Sequence, residues 1–496
     1  MLRLTFVSSA IVLLLTACVL PTSVSRSGSA PLGLPTTVVS LLNAANIPAD
    51  AVGAIVMRVS DGAVLLSHRA EAGMQPASTL KLVTSIVGLE TLGPTYRGRA
   101  ELRTQDELVA GTLHGDLVLH GVGNPDLDWQ ALQRMLQTLR HKGISEIKGD
   151  LVLDRQWFQP SRPDIDAAPF DETPEFRYNV IPDALLLNMN LLKLDFESGD
   201  QQKTTGMRVS VVPAMDRVSV VSNMTFVDRA CDDWEDGWKL PTVRRGENDS
   251  IAIELHGEFP KNCSATTEIN ILDRVDFADR MFRALWRNLG GTFNGRTRDS
   301  TAIEAAGAGT RLLALHRSRT LAEVTRDINK QSDNAITRML YLSIGALAND
   351  ESSTVTSVRA EKKVRAWFRQ HGIDDDGMVL ENASGLSRIE RIRPRQLAQV
   401  LMKAYRSKWA PEFMASLPIV GVDGGMEKRL RDTPAAGHAR IKTGSLRDVA
   451  AVAGFVPCAS DQVCIVVALI NHPLAKGGVA RPILDALIDS VVRATP

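Results

Sequence analysis

Residues 76–81 read PASTLK and decide how the rest of the chain is interpreted. Before them, two partly β-branched runs joined by a Ser-Asp-Gly turn predict a β-hairpin over residues 54–67. After them, apolar residues recur at helical spacing until the Gly-Pro pair at 93–94. Ser78 is therefore predicted at the start of a buried helix, directly after a hairpin.

The far end of the chain carries a similar set of elements. Apolar runs predict strands at Arg440–Thr443, Ala450–Val456 and Cys464–Ile470, and a helical pattern covers Pro482–Val492. We expect the first and last segments of the chain to share one sheet.

The middle of the chain has a different pattern. Residues 96–299 predict a β-rich insertion, and residues 320–405 return to helical periodicity. The clearest short strands of the insertion are predicted at Leu117–His120, Asp150–Asp154, Met207–Val212 and Val218–Val221.

Charge and composition exclude several classes of function. The 57 basic side chains balance 57 acidic ones, so no long-range field attracts a polyanion. The densest basic cluster, residues 388–395, has no aromatic residue on which a base could stack, and we predict a solvated surface there. Nucleic acid is therefore not an expected partner. The nine histidines show no close ligand spacing, so no metal site is predicted.

The N-terminus predicts export from the cytosol. A short positive segment precedes an apolar run, residues 4–15, that is too short for the ~20 residues of a membrane-spanning helix. The next residues, Leu-Thr-Ala-Cys18, are similar to a bacterial lipobox, so residues 1–18 predict a lipoprotein-type signal with lipidation at Cys18. An ordinary signal peptide, with Cys18 removed or incidental, is the alternative. Residues 19–38, rich at first in Ser, Pro and Gly, predict a tether.

The other four cysteines are disulfide candidates, because the chain is predicted to leave the reducing cytosol. Their grouping along the chain favours Cys231 with Cys263 and Cys458 with Cys464. Four cysteines allow three connectivities, and the sequence alone leaves all three open.

Three short motifs stand in order along the chain: Ser78-Thr-Leu-Lys81, Ser332-Asp-Asn334 and Lys442-Thr-Gly444. Each motif alone is weak evidence. A second Ser-x-x-Lys occurs at residues 145–148 in a polar stretch, and it is assigned no role. Only the first copy has a hairpin before it, a buried helix after it and two companion motifs downstream.

The first motif predicts a serine nucleophile that is activated by an amine. Residues three apart on a helix share a face, so the Lys81 side-chain nitrogen can reach the Ser78 hydroxyl. For Lys81 to accept a proton near neutral pH, its pKa must fall by about three units from ~10.4. Burial and a neighbouring cation lower a lysine pKa, and Lys442 is the expected cation. For Lys81 taken alone, a side chain that only covers the helix flank is the alternative.

The second motif is predicted to complete the proton path. Ser332 would offer a hydroxyl between the two lysines and relay the proton to the leaving amine. Asn334 would hold Lys81 and the substrate amide. Ser, Asp and Asn are also favoured helix N-caps, so the same residues predict a helix start, with a structural role for Asp333.

The third motif predicts a substrate-binding edge strand. Lys442 and Thr443 would bind a substrate carboxylate, and Gly444 would leave room for the strand to approach closely. The backbone N–H of Ser445 would pair with that of Ser78 as an oxyanion hole, in which losing one donor typically costs ~2.7–4 kcal/mol. A surface strand without a binding role is the alternative.

Together the motifs resemble those of penicillin-binding proteins and class A β-lactamases. The stretch between the first and second motifs is far longer than a β-lactamase needs, and it resembles the insertion of the type-4, low-molecular-mass class C penicillin-binding proteins. Residues 121–125 (GVGNP) and 382–388 (NASGLSR) are also similar to segments of that group. Val122 and Asn124 depart from it, since the group usually has Gly and Asp there.

The resemblance implies an α+β fold, in which a penicillin-recognising, β-lactamase-like serine transpeptidase domain carries a large β-rich insertion. The catalytic domain would comprise residues 39–95 and 300–496. The insertion would comprise residues 96–299 and contain a smaller nested domain at about residues 190–265.

The resemblance also implies a serine-type D-alanyl-D-alanine carboxypeptidase with D,D-endopeptidase activity on peptidoglycan stem peptides, acting through an acyl-enzyme on Ser78. β-Lactams would acylate the same serine, and no metal or organic cofactor would be needed. A β-lactamase, for which no dedicated deacylating Glu can be assigned, and a catalytically silent wall-binding lipoprotein are the alternatives. The expected location is the periplasm with a lipid anchor. Val19 after Cys18 favours the outer membrane, because Asp at that position is associated with inner-membrane retention in some bacteria.

Overall fold

The computed structural model describes residues 32–199, 207–301, 310–348, 353–458 and 462–494. The predicted signal region, Cys18 and most of the predicted tether lie outside the described residues. Within those ranges, no helix is both long and apolar enough to cross a membrane.

Short and long strands follow each other through most of the chain. In chain order they are β1 (Val52–Arg58), β2 (Val64–His68), β3 (Arg99–Thr104), β4 (Leu108–Val109), β5 (Thr112–Leu113), β6 (Leu117–Val122), β7 (Glu146–Ile147), β8 (Leu151–Asp154), β9 (Leu192–Ser198), β10 (Met207–Val212), β11 (Val218–Ser222), β12 (Thr225–Val227), β13 (Trp238–Arg245), β14 (Ile251–Pro260), β15 (Ser264–Ile269), β16 (Thr292–Phe293), β17 (Thr297–Asp299), β18 (Arg311–Arg317), β19 (Arg440–Leu446), β20 (Val449–Cys458) and β21 (Gln462–Asn471).

The helices are concentrated in the second half of the chain. In chain order they are α1 (Thr36–Ala44), α2 (Lys81–Leu92), α3 (Trp129–His141), α4 (Arg274–Asn288), α5 (Leu321–Lys330), α6 (Asn334–Ala346), α7 (Thr356–Gln370), α8 (Pro394–Arg406), α9 (Ala410–Ser416) and α10 (Gly477–Arg493).

The two ends of the chain build one five-stranded antiparallel sheet, in the order β19-β20-β21-β1-β2. The prediction of a shared sheet is therefore confirmed. One face packs on α8 within a core that also holds α2, and the other face packs on α1 and α10. Because both faces are covered, β20 and β21 are apolar almost throughout. This sheet carries β19 at its edge, where a ligand can reach it.

The insertion after α2 folds into further sheets. Its larger sheet has the order β17-β8-β6-β3-β18, and a smaller one has the order β16-β7-β5-β4. The predicted end of the insertion at residue 299 is too early, because β18 pairs with β3 as the edge of the larger sheet. The nested part consists of β10-β9-β15 and of β14 with its neighbours β11, β12 and β13. It extends to Ile269, slightly past the predicted limit.

Two disulfides lie in different parts of the fold. Cys231 is joined to Cys263 in the nested part, and Cys458 is joined to Cys464 across the paired strands β20 and β21. Both pairs are those that the grouping along the chain favours.

Two further predicted boundaries differ from the structure. The tether was expected to reach residue 38, but α1 begins at Thr36 and buries Val38, because Pro35 is suited to the start of a helix and an apolar face follows it. The last helix begins at Gly477, and the predicted first residue, Pro482, lies inside it.

Candidate active site

Ser78 lies in a single 3-10 turn, Ala77–Leu80, that leads into α2. The lysine three residues later begins α2, and its Nζ lies 2.9 Å from Ser78 Oγ. The turn is held by the Thr79 hydroxyl, which donates to the Pro76 carbonyl at 2.7 Å. The spacing that predicted contact between Ser78 and Lys81 therefore brings them into hydrogen-bond distance.

Lys81 is completely buried, and polar partners surround its nitrogen. Besides Ser78, Nζ donates to Asn334 Oδ1 at 2.7 Å and to the Ser384 carbonyl at 2.6 Å. Burial lowers the pKa of Lys81 to about 7, while the charges of Asp333 and Glu390 act in the opposite direction. Near neutral pH, Lys81 is therefore divided between its protonated and neutral forms.

The second motif lies at the start of α6. Asp333 is the N-cap, and its side chain accepts from the Ile336 N–H at 2.9 Å, so its expected structural role is confirmed. Ser332, immediately before the cap, has a positive φ of 60°. This conformation is uncommon for a residue with a side chain and is often found at functional sites.

Ser332 and Asn334 contact one lysine each. Ser332 Oγ accepts a hydrogen bond from Lys442 Nζ at 2.8 Å, and Asn334 Oδ1 accepts from Lys81. The Asn334 amide nitrogen donates to the Tyr178 carbonyl at 2.9 Å, so a substrate carbonyl would compete with Tyr178 for it. Through Tyr178 the insertion contacts Asn334 directly.

Lys442 lies in the edge strand β19 and is almost fully buried. Burial, followed by the charge of Lys81, lowers the pKa of Lys442 well below its usual value. The sequence predicts that Lys442 acts on Lys81. In the structure, burial is the cause that lowers the Lys81 pKa, and the repulsion between the two ammonium groups affects Lys442.

Gly444 allows β19 to approach the turn that holds Ser78. A Cβ at this position would lie 2.9 Å from the Ser78 nitrogen and 3.0 Å from the Pro76 carbonyl oxygen. The half-buried Thr443 precedes it, and the exposed Ser445 follows it on the wall of the cavity. The backbone of β19 therefore lies directly against that of Ser78.

We expect Gly444→Ala to lower the acylation rate by about 100-fold, because the added Cβ forces β19 away from Ser78 and separates the two N–H donors. The measurement is the rate of covalent labelling by a fluorescent penicillin. Gly478→Ala is the matched control, since a Cβ there meets open space. Wild-type labelling by Gly444→Ala would show that this close approach is not needed.

A cavity of about 380 Å³ lies in front of Ser78. Its walls come from the motif residues, from the insertion and from the loop at 382–388. The residues that line it are Ser78, Phe170, Asp171, Glu172, Tyr178, Ser332, Asn334, Gly385, Leu386, Arg388, Ser445, Leu446 and Arg447.

A family model described as the D-Ala-D-Ala carboxypeptidase 3 (S13) family matches residues 35–490. The chain belongs to this family. A D-alanyl-D-alanine carboxypeptidase of Actinomadura sp. (strain R39) is 26% identical over 432 residues, which are 85% of this chain and 78% of that protein. The D-alanyl-D-alanine carboxypeptidase DacB of Haemophilus influenzae is 26% identical over 424 residues, which are 85% of each protein.

The crystal structure of penicillin-binding protein 4 (dacB) from Haemophilus influenzae has a similar fold. The TM-score is 0.74 at 22% sequence identity, over 92% of this chain and 98% of that one. The predicted α+β, penicillin-recognising fold is therefore confirmed, as is the resemblance to type-4 penicillin-binding proteins. Membership of the S13 family makes the chain a D-Ala-D-Ala carboxypeptidase.

The second Ser-x-x-Lys motif of this S13 carboxypeptidase, residues 145–148, is not helical. Residues 146–147 form β7, and the Ser145 hydroxyl donates to the Gly111 carbonyl at 3.1 Å. Lys148 is exposed. No His, Cys, Asp or Glu cluster suited to a metal lies among the residues that the structure describes.

The sequence did not predict several of the groups at the site. The Ser384 carbonyl accepts a hydrogen bond from Lys81, and the Tyr178 carbonyl accepts one from Asn334. Arg388 was predicted on a solvated surface. In the structure it lines the cavity, and its guanidinium lies 5.0 Å from the centre of the Phe170 ring. The similarity of residues 382–388 to a family segment was a signal for two of these. Nothing in the local sequence of the insertion pointed to Tyr178.

Proposed function

We propose that this carboxypeptidase removes the terminal D-alanine of peptidoglycan stem peptides through an acyl-enzyme on Ser78. The observation that carries the proposal is the 2.9 Å contact between Ser78 Oγ and the buried Lys81, whose pKa of about 7 leaves a neutral amine available near neutral pH. Such an amine can act as the general base for a serine nucleophile.

The chemical steps follow from the contacts. Neutral Lys81 accepts the Ser78 hydroxyl proton while Oγ attacks the carbonyl carbon of the penultimate D-alanine. The oxyanion accepts hydrogen bonds from the backbone N–H groups of Ser78 and Ser445. The C–N bond then breaks, and the proton that Lys81 took from Ser78 passes through the Ser332 hydroxyl to the nitrogen of the leaving D-alanine, which returns Lys81 to its neutral form. Water attacks the ester in the same way and releases the shortened peptide.

The terminal carboxylate of the substrate is assigned to Lys442 and Thr443. Lys442 is buried beside Lys81, and both features disfavour its charge. A bound carboxylate opposes these effects and favours the ammonium form. Binding a substrate with a free C-terminal carboxylate would therefore restore the cation that holds it.

Two related reactions belong to the same proposal. A D,D-cross-link presents the same acyl group with a different leaving amine, so Ser78 would cleave it as an endopeptidase. A β-lactam presents a strained amide at the same place, so Ser78 would open its ring and keep the product as an ester. We further propose that the protein acts in the periplasm, held there by lipid on Cys18.

The acidic groups near Lys81 favour this reaction over that of a β-lactamase. Asp333 caps α6 with one oxygen and pairs with Arg177 through the other, at 3.0 Å. Glu390 accepts four backbone N–H groups. Every oxygen of these two carboxylates already accepts a hydrogen bond, which makes both poor candidates for activating the water of a rapid deacylation.

The test uses protein lacking residues 1–18 and three substrates: a stem pentapeptide, a D,D-cross-linked dimer and a penicillin. We expect D-alanine release from the first, cleavage of the second and one slowly lost adduct from the third. Rapid consumption of the penicillin without D-alanine release would establish a β-lactamase. Binding of wall fragments without any turnover would establish a silent binding protein.

A further inference from the structure

Glu390 is a fully buried carboxylate that is hydrogen-bonded to the loop that contacts Lys81. One oxygen, Oε1, accepts from the backbone N–H groups of Glu381, Asn382 and Ala383 at 3.3, 3.0 and 2.7 Å. The other, Oε2, accepts from the Gly385 N–H at 3.0 Å. The loop at 381–385 is therefore folded around one side chain.

The same loop contacts both partners of the catalytic pair. Its Ser384 carbonyl accepts from Lys81 Nζ at 2.6 Å, and its Ala383 carbonyl accepts from the Thr84 hydroxyl of α2 at 2.6 Å. At Gly385, which has a φ of 81°, a Cβ would lie 2.8 Å from the Ser78 nitrogen. A displacement of the loop would therefore be felt at Lys81 and at Ser78.

The hydrogen bonds that Glu390 accepts favour its anionic form. Both oxygens already accept from N–H groups, and a protonated carboxyl would add a donor that these contacts do not use. The cations that feel the charge of Glu390 are Lys81 and Arg338. Burial raises the pKa of Glu390, and the four N–H donors oppose this change.

Charged groups from three elements face this region. Lys81 is influenced by Asp333 at the start of α6 and by Glu390, and it acts in turn on Lys442 of β19. Arg338 and Tyr341, both on α6, also feel the charge of Glu390. Removing Glu390 would take away one of the two negative charges that favour the protonated form of Lys81.

We propose that Glu390 is a positioning residue that holds the Ser384 carbonyl against Lys81 and whose negative charge shifts the pH range in which Lys81 works. The proposal rests on the proposed role of Lys81 as the base for Ser78. It assigns Glu390 no contact with the substrate.

The test measures the acylation rate by a fluorescent penicillin against pH, with rates normalised to the number of sites that label. In Glu390→Gln we expect the acidic limb of the profile to move to lower pH by about one unit, because a nearby negative charge is lost. We also expect a plateau about tenfold lower, because the amide NH₂ cannot accept from Gly385. Glu390→Asp keeps the charge, so its limb should stay in place while its plateau falls.

The matched control is Asp154→Asn, which removes another buried carboxylate that accepts a backbone N–H, but in the insertion. Its limb and plateau should coincide with those of the wild type. The proposal would be overturned if the acidic limb of the Glu390→Gln profile coincided with that of the wild type, or if the plateau rate of Glu390→Asp did not fall. Either result would leave the proposed reaction at Ser78 intact. If Glu390→Gln does not fold, the plateau rate of Glu390→Asp alone tests the proposal. A wild type that never labels would overturn the proposed function, and this proposal with it.

Discussion

Ser78→Ala is expected to lower both D-alanine release and penicillin labelling by about 10⁴-fold or more, which is the scale of losing a catalytic nucleophile. The expectation follows from the geometry, because Lys81 contacts this hydroxyl, and Gly444 and Gly385 both lie close to the backbone nitrogen of the same residue. The measurement is D-alanine released from a stem-peptide analogue, together with the labelled band on a denaturing gel.

The second Ser-x-x-Lys motif supplies a matched control for this variant. Ser145→Ala alters the second Ser-x-x-Lys motif, whose serine donates to a backbone carbonyl on the insertion. Its activity should equal that of the wild type. If Ser78→Ala still releases D-alanine at the wild-type rate, the acyl-enzyme on Ser78 is wrong.

Lys81→Met is expected to lower the acylation rate by about 10³-fold, within the range for loss of a general base. Methionine has a similar length and an apolar chain, so it can occupy the buried space without accepting a proton. The measurement is the second-order rate of penicillin labelling, with circular dichroism to show that the variant folds.

The pH dependence supplies a second readout for the same residue. With a pKa of about 7, Lys81 is mainly protonated below that pH, and its neutral fraction falls tenfold for each further unit. Wild-type acylation should therefore rise with pH and reach a plateau above about 7. The residual reaction of Lys81→Met should lack this limb. If the acidic limb of the pH profile persists in Lys81→Met, a group other than Lys81 causes it.

The elements that carry the motifs could be predicted because their patterns are local. The Ser-Asp-Gly turn between two β-branched runs predicts β1 and β2, and the helical spacing after Ser78 predicts α2. The start of α10 is the exception. Proline usually marks a helix start, but Pro482 lies within a helix that begins at Gly477.

Contacts between distant parts of the chain could not be predicted. Tyr178 and Asn334 are 156 positions apart, and their hydrogen bond depends on how the insertion folds back. Glu390 stands between Ile389 and Arg391 in a charged stretch, which is typical of a surface. Its burial depends on the loop that wraps around its carboxylate, a geometry without a local pattern.

The central claim is that Ser78 forms a covalent ester with its substrates, and mass spectrometry of a penicillin complex tests it most directly. Ring opening by Ser78 Oγ expels no leaving group, so the protein should gain the whole mass of the penicillin, once per chain. Peptide mapping should place the adduct on the fragment that contains Ser78. An adduct on another residue, or penicillin recovered hydrolysed from unmodified protein, would contradict the account.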